Sequence, residues 1–286
     1  MCETLKASYE KGRKMLGQAG IAEADLDAWY LLEYTTGVSK ARYYMDPEKS
    51  MSRDLSEKYM QYISLRQKRI PLQHITGEQE FMGLSFEVDE HVLVPRQDTE
   101  ILVETALELL EKQAQIPDGE RIRILDMCTG SGCILLSVLR YAKTPMEGTG
   151  ADLSGEALKV ARRNADKLGQ AAEFIRSDLF EGISGKYRMI LSNPPYIRTE
   201  EIGKLQDEVR LYDPPGALDG GEDGLAFYRR ISGESRKFLE PGGVLAFEIG
   251  YDQAEAVTEI MEADGFHDIA VRKDLAGLDR VVYGMI

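Results

Sequence analysis

Apolar residues recur at helical spacing through the first seventy positions. Leu5, Tyr9 and Leu16 share one face, and Leu26, Trp29, Tyr30 and Leu32 follow an acidic first turn at Glu23 and Asp25. Gly37 can serve as a stop signal, Ser39 can cap a short third helix closed by Pro47, and Ser52 can cap a fourth carrying Leu55, Tyr59, Tyr62, Ile63 and Leu65. The pattern predicts a small helical bundle over residues 1–71. Its aromatics read first as core, and the bundle as a docking piece ahead of a second domain. Pro71 ends the helices, and 81–88 and 92–94 read as extended segments around Asp89-Glu90, a β-hairpin linker within residues 72–95. A helix then opens near 95–100, capped by Asp98 or Thr99, with Ile101, Leu102, Thr105, Leu109 and Leu110 on its buried side. Residues 113–120 form a polar loop.

From Arg121 onward short apolar runs alternate with amphipathic segments. Strands are expected at 122–125, 148–153, 173–176, 189–192, 244–249, 269–272 and 281–284, and helices at 133–141, 155–168, 200–210, 225–238 and 254–263. Strand and helix in alternation imply a mainly parallel sheet covered on both faces, so residues 96–286 are expected to form one doubly wound α/β domain with seven strands.

Charge narrows the function classes. The chain of 286 residues has a formal net charge of −14. Residues 1–70 carry 12 Lys+Arg and 10 Asp+Glu, so the acidity belongs to the later domain. Such a surface argues against affinity won by neutralising phosphates and favours a basic protein partner. Three cysteines, Cys2, Cys128 and Cys133, with no C-x-x-C pair argue against disulfides and zinc. The mixed-charge start offers no signal core, and no apolar run reaches membrane-spanning length. A reduced, cytoplasmic, soluble protein is expected.

The chemistry gathers where strands are expected to end. The run Arg188-Met189-Ile190-Leu191 stops at Ser192-Asn193-Pro194-Pro195-Tyr196. Two prolines fix φ and lack N–H groups, so the chain leaves the sheet stiffly with its carbonyls free. Asn193 adds a side-chain acceptor and an amide donor, and Tyr196 an aromatic face, a combination suited to a planar substrate bearing an NH2 group. The same tetrapeptide also reads as an ordinary strand-ending turn. The first strand ends in Asp126-Met127-Cys128-Thr129-Gly130-Ser131-Gly132, a small-residue loop running straight into a helix. Asp152 ends the second strand, where a carboxylate can accept both hydroxyls of a ribose, and Asp178 with Leu179 follows the third, where it can meet an adenine edge. Taken alone, each aspartate is a turn or cap residue. No Gly-x-x-x-x-Gly-Lys-Ser/Thr loop and no full Gly-x-Gly-x-x-Gly occurs there, which leaves a nucleoside without phosphates.

On these residues, together with 71–77, 94–100 and 213–221, the sequence resembles the release factor glutamine methyltransferase family over almost its whole length. The resemblance implies a Rossmann-like class I methyltransferase fold and S-adenosylmethionine as cofactor, leaving S-adenosylhomocysteine. It implies a protein-(glutamine-N5) methyltransferase acting on the Gly-Gly-Gln glutamine of peptide chain release factors 1 and 2. No direct nucleic acid, membrane or metal partner is implied, and the chain is expected to be a monomer. Catalysis would fall to Asn193, Pro194, Pro195 and Tyr196, and cofactor binding to Cys128, Thr129, Gly130, Ser131, Gly132, Asp152, Asp178, Leu179 and Asn193. Cys128 stands where that superfamily commonly has a glycine. An adenine-N6 nucleic-acid methyltransferase, or an enzyme acting on a ribosomal protein, would share the Asn-Pro-Pro-Tyr element. His74, His91 and His267 are expected away from the sheet's carboxyl edge, and Glu248 is an ambiguous carboxylate at a strand end.

Overall fold

The computed structural model describes residues 3–112 and 121–286, so the loop expected at 113–120 and Cys2 lie outside the described residues. Two units are formed, Met1–Gly77 with Gln206–Tyr212, and Glu78–Leu205 with Asp213–Ile286.

The first unit is built on α1 (Leu5–Gln18), α2 (Ala24–Thr36), α3 (Lys40–Met45), α4 (Arg53–Gln67) and α5 (Leu72–Thr76). Thr4 Oγ1 accepts from Ala7 N–H at 3.2 Å to start α1, and Ser52 Oγ does the same for Leu55 at 3.3 Å in α4. Gly37 ends α2 in the left-handed conformation. Leu16, Leu31, Leu32, Tyr59 and Ile63 are wholly buried and form its core. Arg66 is drawn into that core. Its Nε lies 2.7 Å from Asp27 Oδ2, and a second guanidinium nitrogen 3.0 Å from Oε1 of Glu208, in the returning segment Gln206–Tyr212. Pro71 does not close the helices as expected. It caps α5, where a fixed φ of −52° and a missing N–H suit a helix start.

In the second unit β1 (Glu78–Phe81) and β2 (Leu84–Glu87) make the hairpin, earlier in the chain than expected. Its turn is Met82-Gly83, both at positive φ, the geometry of a two-residue hairpin turn. Methionine is a poor residue for that conformation, which hid the turn in the sequence. Its neighbours hold it: Met82 N–H donates to Glu100 Oε1 at 2.6 Å, and Tyr141 O–H donates to the Met82 carbonyl at 2.6 Å. The expected strand at 92–94 is loop, although Val92 and Val94 are buried. A 3-10 turn, Gln97–Thr99, leads into α6 (Glu100–Lys112) without a side-chain cap, so Asp98 and Thr99 do not cap that helix as expected.

The remaining elements alternate: β3 (Ile122–Met127), α7 (Cys133–Tyr141), β4 (Met146–Asp152), α8 (Gly155–Leu168), β5 (Ala172–Arg176), β6 (Tyr187–Ser192), α9 (Asp207–Tyr212, of the first unit), α10 (Ala226–Ser235), β7 (Leu239–Glu248), α11 (Ala254–Ala263), β8 (His267–Lys273) and β9 (Asp279–Met285). The sheet order is β5-β4-β3-β6-β7-β9-β8, parallel from β5 to β7, with β9 antiparallel to both its neighbours. This is the seven-stranded, mostly parallel Rossmann-like sheet expected. The single helix expected over 200–210 is instead a 3-10 turn, Thr199–Lys204, and α9, broken at Leu205, whose backbone is extended. Two apolar clusters flank the sheet, one with Leu102, Leu135 and Leu191, the other with Leu125, Tyr187 and Phe247. Strand order reverses at β3 and β6, which pair in parallel with Met127 opposite Ser192. The crevice beyond such a reversal is where open α/β sheets bind ligands. Among the described residues no helix is long and apolar enough to cross a membrane.

Candidate active site

Both conspicuous sequence stretches leave the sheet at this reversal, one after β3 and one after β6. The loop after β3 turns at once through Cys128, whose φ is +61°. That conformation costs a side-chain-bearing residue about 1–2 kcal/mol, the physical reason a glycine is usual there. Cross-links hold the turn. Thr129 N–H donates to the Ala151 carbonyl at 3.0 Å, and Thr129 Oγ1 donates to Asp126 Oδ2 at 2.6 Å. Gly132, at φ +79°, starts α7, and a Cβ there would meet Leu136 and Ala161 at 3.2 and 3.3 Å. Asp126 is wholly buried beneath the loop with Oδ1 unpartnered. Burial pushes its pKa up to about 7 despite the Thr129 hydrogen bond.

Asp152 grips the same loop from the end of β4. Its Oδ2 accepts from Gly130 N–H at 2.9 Å and its Oδ1 from Ser154 N–H at 2.8 Å. Burial raises its pKa, while these backbone donors pull the other way. A carboxylate has about four acceptor sites, so both oxygens keep capacity for a ligand. Asp178, after β5, is paired with Arg230 at 2.8 Å, and Leu179 beside it is buried at φ +48°.

After β6, Ser192 Oγ donates to the Met127 carbonyl at 2.7 Å, tying the two strand ends together. Asn193 is half-buried and its Nδ2 points at Thr99 Oγ1, 3.4 Å away. Pro194 and Pro195 are buried. The Tyr196 carbonyl accepts from Gln253 Nε2 at 3.0 Å, and burial pushes the Tyr196 phenol up to about 12.

A cavity of about 390 Å³ opens over these strand ends. Cys128, Thr129, Gly130, Ser131, Asp152, Asp178, Leu179, Asn193 and Pro195 line it, whereas Gly132, Pro194 and Tyr196 lie outside its lining. His91 also lines it, contrary to the expectation that all three histidines lie away from this edge. The loop from β2 to α6, which carries His91, follows no period that sequence could read. Arg96, Thr99, Pro214, Gly216, Ala217 and Phe227 also line the cavity, none of them among the residues named for catalysis or cofactor binding from the sequence. Arg96 and 213–217 fall in stretches that carried the family resemblance; Phe227 left no signal beyond its apolarity. Arg96 pairs with Asp213 at 3.0 Å, and burial lifts the Asp213 pKa to about 6.

The donor set fits S-adenosylmethionine. The wall is largely apolar and its carboxylates, Asp152 and Asp178, would repel a polyphosphate but accept hydroxyl and amino hydrogens of a nucleoside.

Similarity to known proteins gives the family. The family model for the PrmC N-terminal domain matches residues 8–77, and that for the methyltransferase small domain matches residues 99–210. The chain is 42% identical to the release factor glutamine methyltransferase of Clostridium acetobutylicum, over 90% of this chain and 89% of that one. It is 41% identical to the protein of that name from Agrobacterium fabrum, over 98% of this chain and 96% of that one.

The chain belongs to the release factor glutamine methyltransferase family.

A third member, from Caulobacter vibrioides, is 39% identical over 100% of this chain and 97% of that one. A methyltransferase structure from Pyrococcus furiosus, at 19% identity and a TM-score of 0.53, covers 78% of this chain and 98% of that one, and shares the fold. Within this release factor glutamine methyltransferase family member the strained Cys128 turn is tolerated because Thr129, Asp126 and Asp152 over-determine the loop around it.

Proposed function

We propose that this chain transfers a methyl group from S-adenosylmethionine to the side-chain amide nitrogen, N5, of the glutamine in the Gly-Gly-Gln motif of class I peptide chain release factors. The observation that carries the reading is the position of Asn193, at the end of β6 and in the wall of the cavity shared with Cys128 to Ser131 and Asp152. When bound, S-adenosylmethionine supplies an electrophilic methyl on a sulfonium centre.

A carboxamide nitrogen is a poor nucleophile because its lone pair is delocalised into the carbonyl, the resonance that flattens a peptide bond. Asn193 Oδ1 and the Pro194 carbonyl act as two acceptors for the two amide hydrogens, which localises density on nitrogen and fixes the direction of its lone pair. Pro195 closes against the amide plane, and Tyr196 supports the turn. As the N–C bond forms the methyl's C–S bond would break, S-adenosylhomocysteine would leave, and the surplus amide proton, strongly acidic once nitrogen is alkylated, would pass to water. The protein's contribution is therefore positioning and preorganised electrostatics, with no strong base required. Thr129, Gly130 and Ser131 line the part of the cavity suited to the amino-acid portion of the cofactor, Asp152 takes the ribose hydroxyls, and Asp178 with Leu179 receives the base. The helical residues 1–71 dock the release factor, and residues 72–95 link them to the catalytic part.

Incubating the full chain with a purified release factor and isotopically labelled S-adenosylmethionine, then mapping the label by mass spectrometry, tests this. Label on the Gly-Gly-Gln glutamine is expected; label on any other residue overturns the substrate assignment.

A further inference from the structure

Glu248 ends β7 with 2% of its surface exposed, and its Oε2 has no hydrogen-bond partner. Strands β6 and β7 pair in parallel with Ser192 opposite Phe247, so the next residue on each strand brings Asn193 and Glu248 side by side. Thr99, 3% exposed, completes the group: its Oγ1 lies 3.4 Å from Asn193 Nδ2, and both Thr99 and Asn193 stand near enough to the Glu248 carboxyl to favour its ionised form.

Hydrogen bonds in such a row have a direction. A carboxylate only accepts, so beside an ionised Glu248 the Thr99 hydroxyl donates to it and its oxygen is left to accept from the Asn193 NH2. Asn193 Oδ1 is then the end turned to the cavity. Reverse the polarity, with a protonated Glu248 donating, and the row favours the opposite amide orientation, in which the cavity meets a donor where an acceptor is required. An amide's two ends are nearly equal in shape, so only its neighbours can choose between them.

We infer that Glu248 is a positioning residue which, directly and through Thr99, sets which end of the Asn193 amide faces the cavity. The inference rests on the proposed role of Asn193 as an acceptor for the substrate amide. Burial pushes the Glu248 pKa up to about 7. The groups facing it are Thr99 and Asp98 ahead of α6, Cys133 of α7, Asn193 and Tyr196 after β6, Tyr228 of α10 and Arg280 of β9. Of these Arg280 favours the ionised form, and Asp98 opposes it.

The test compares wild type, Glu248→Gln, Glu248→Asp and Asn193→Ala as full chains, reading cofactor affinity by calorimetry with S-adenosylhomocysteine and methyl transfer to a release factor from pH 6 to 8. Glu248→Gln keeps the shape but offers Thr99 and Asn193 either polarity. We expect its cofactor affinity to stay within about twofold, its kcat to fall about tenfold or more, and the wild-type rise of kcat through pH 7 to flatten. Glu248→Asp, which retains the acceptor-only charge, restores part of the pH dependence. A Glu248→Gln chain with wild-type kcat and pH profile overturns the inference while leaving the proposed function intact. Loss of cofactor binding in Glu248→Gln also overturns it, because the residue would then be a general prop. Wild-type turnover by Asn193→Ala would instead refute the proposed function itself.

Discussion

Replacing Gly220 by alanine forces a methyl group against the backbone that carries the proposed acceptors. A Cβ at this position would stand 2.7 Å from Tyr196 Cα, 2.8 Å from the Pro195 carbonyl oxygen and 2.9 Å from Tyr196 C. None of these atoms ends a flexible side chain that could swing aside. The two segments are also bonded together, Gly220 N–H to the Ile197 carbonyl at 2.9 Å and Ile197 N–H to the Leu218 carbonyl at 3.0 Å. Reaching ordinary van der Waals contact requires the turn to move by about 0.7 Å, at an overpacking cost of about 1–3 kcal/mol. A misplacement approaching 1 Å at a positioned reacting group costs about 10²-fold in rate. Gly220→Ala is therefore expected to lower kcat by roughly ten- to a hundredfold while S-adenosylhomocysteine affinity, set by the loop after β3 and by Asp152, is retained. Methyl-transfer kinetics beside calorimetric titration measure both. Wild-type kcat in a folded Gly220→Ala chain would refute the claim that the position of the Pro194–Tyr196 turn limits turnover.

Three other substitutions probe separate parts of the molecule. Arg66→Ala strands the buried Asp27 carboxylate, and urea unfolding followed by fluorescence of Trp29, the single tryptophan, should show about 3–5 kcal/mol less stability in the helical unit; a change under ~1 kcal/mol would argue that the pair contributes nothing. Cys128→Gly relieves about 1–2 kcal/mol of left-handed strain but adds freedom to the unfolded chain worth about 0.5–1 kcal/mol, so stability should change little and cofactor affinity be kept, whereas a large loss of affinity would give the thiol a binding role. Asp126 is raised from 3.8 to about 7 in the folded chain, so the folded state binds more protons there. Its contribution to stability is full below pH 3.8 and is lost as pH rises through about 7. Asp126→Asn should flatten the decline of unfolding free energy across that window, and an unchanged slope would show that Asp126 does not titrate there.

The sheet was legible because its strands are buried runs, such as Met189-Ile190-Leu191, bounded by turn residues and separated by amphipathic helices like Gly155–Leu168. Features decided by tertiary contact were not. The hairpin turn at Met82-Gly83 depends on Glu100 and Tyr141, from distant helices. The return of residues 206–212 to the first unit depends on Glu208 meeting Arg66, a pairing that no periodicity announces. Small-residue loops and strand-end carboxylates gave away Cys128 to Ser131, Asp152 and Asp178. Most of the cavity's other wall, from His91 and Arg96 to Pro214 and Gly216, sits outside the regular helices and strands, where hydrophobic patterning carries no signal. Glu248 was visible as a strand-end acid, but its meaning came only from its burial beside Asn193 and Thr99.

In the proposed reaction two oxygens receive the two hydrogens of one amide. A crystal structure of this chain with S-adenosylhomocysteine and a Gly-Gly-Gln peptide tests it most directly. The glutamine side-chain nitrogen is expected within about 2.7–3.2 Å of both Asn193 Oδ1 and the Pro194 carbonyl oxygen. A peptide bound with its amide oxygen turned toward Asn193, or with its nitrogen beyond hydrogen-bonding reach of either acceptor, would contradict it.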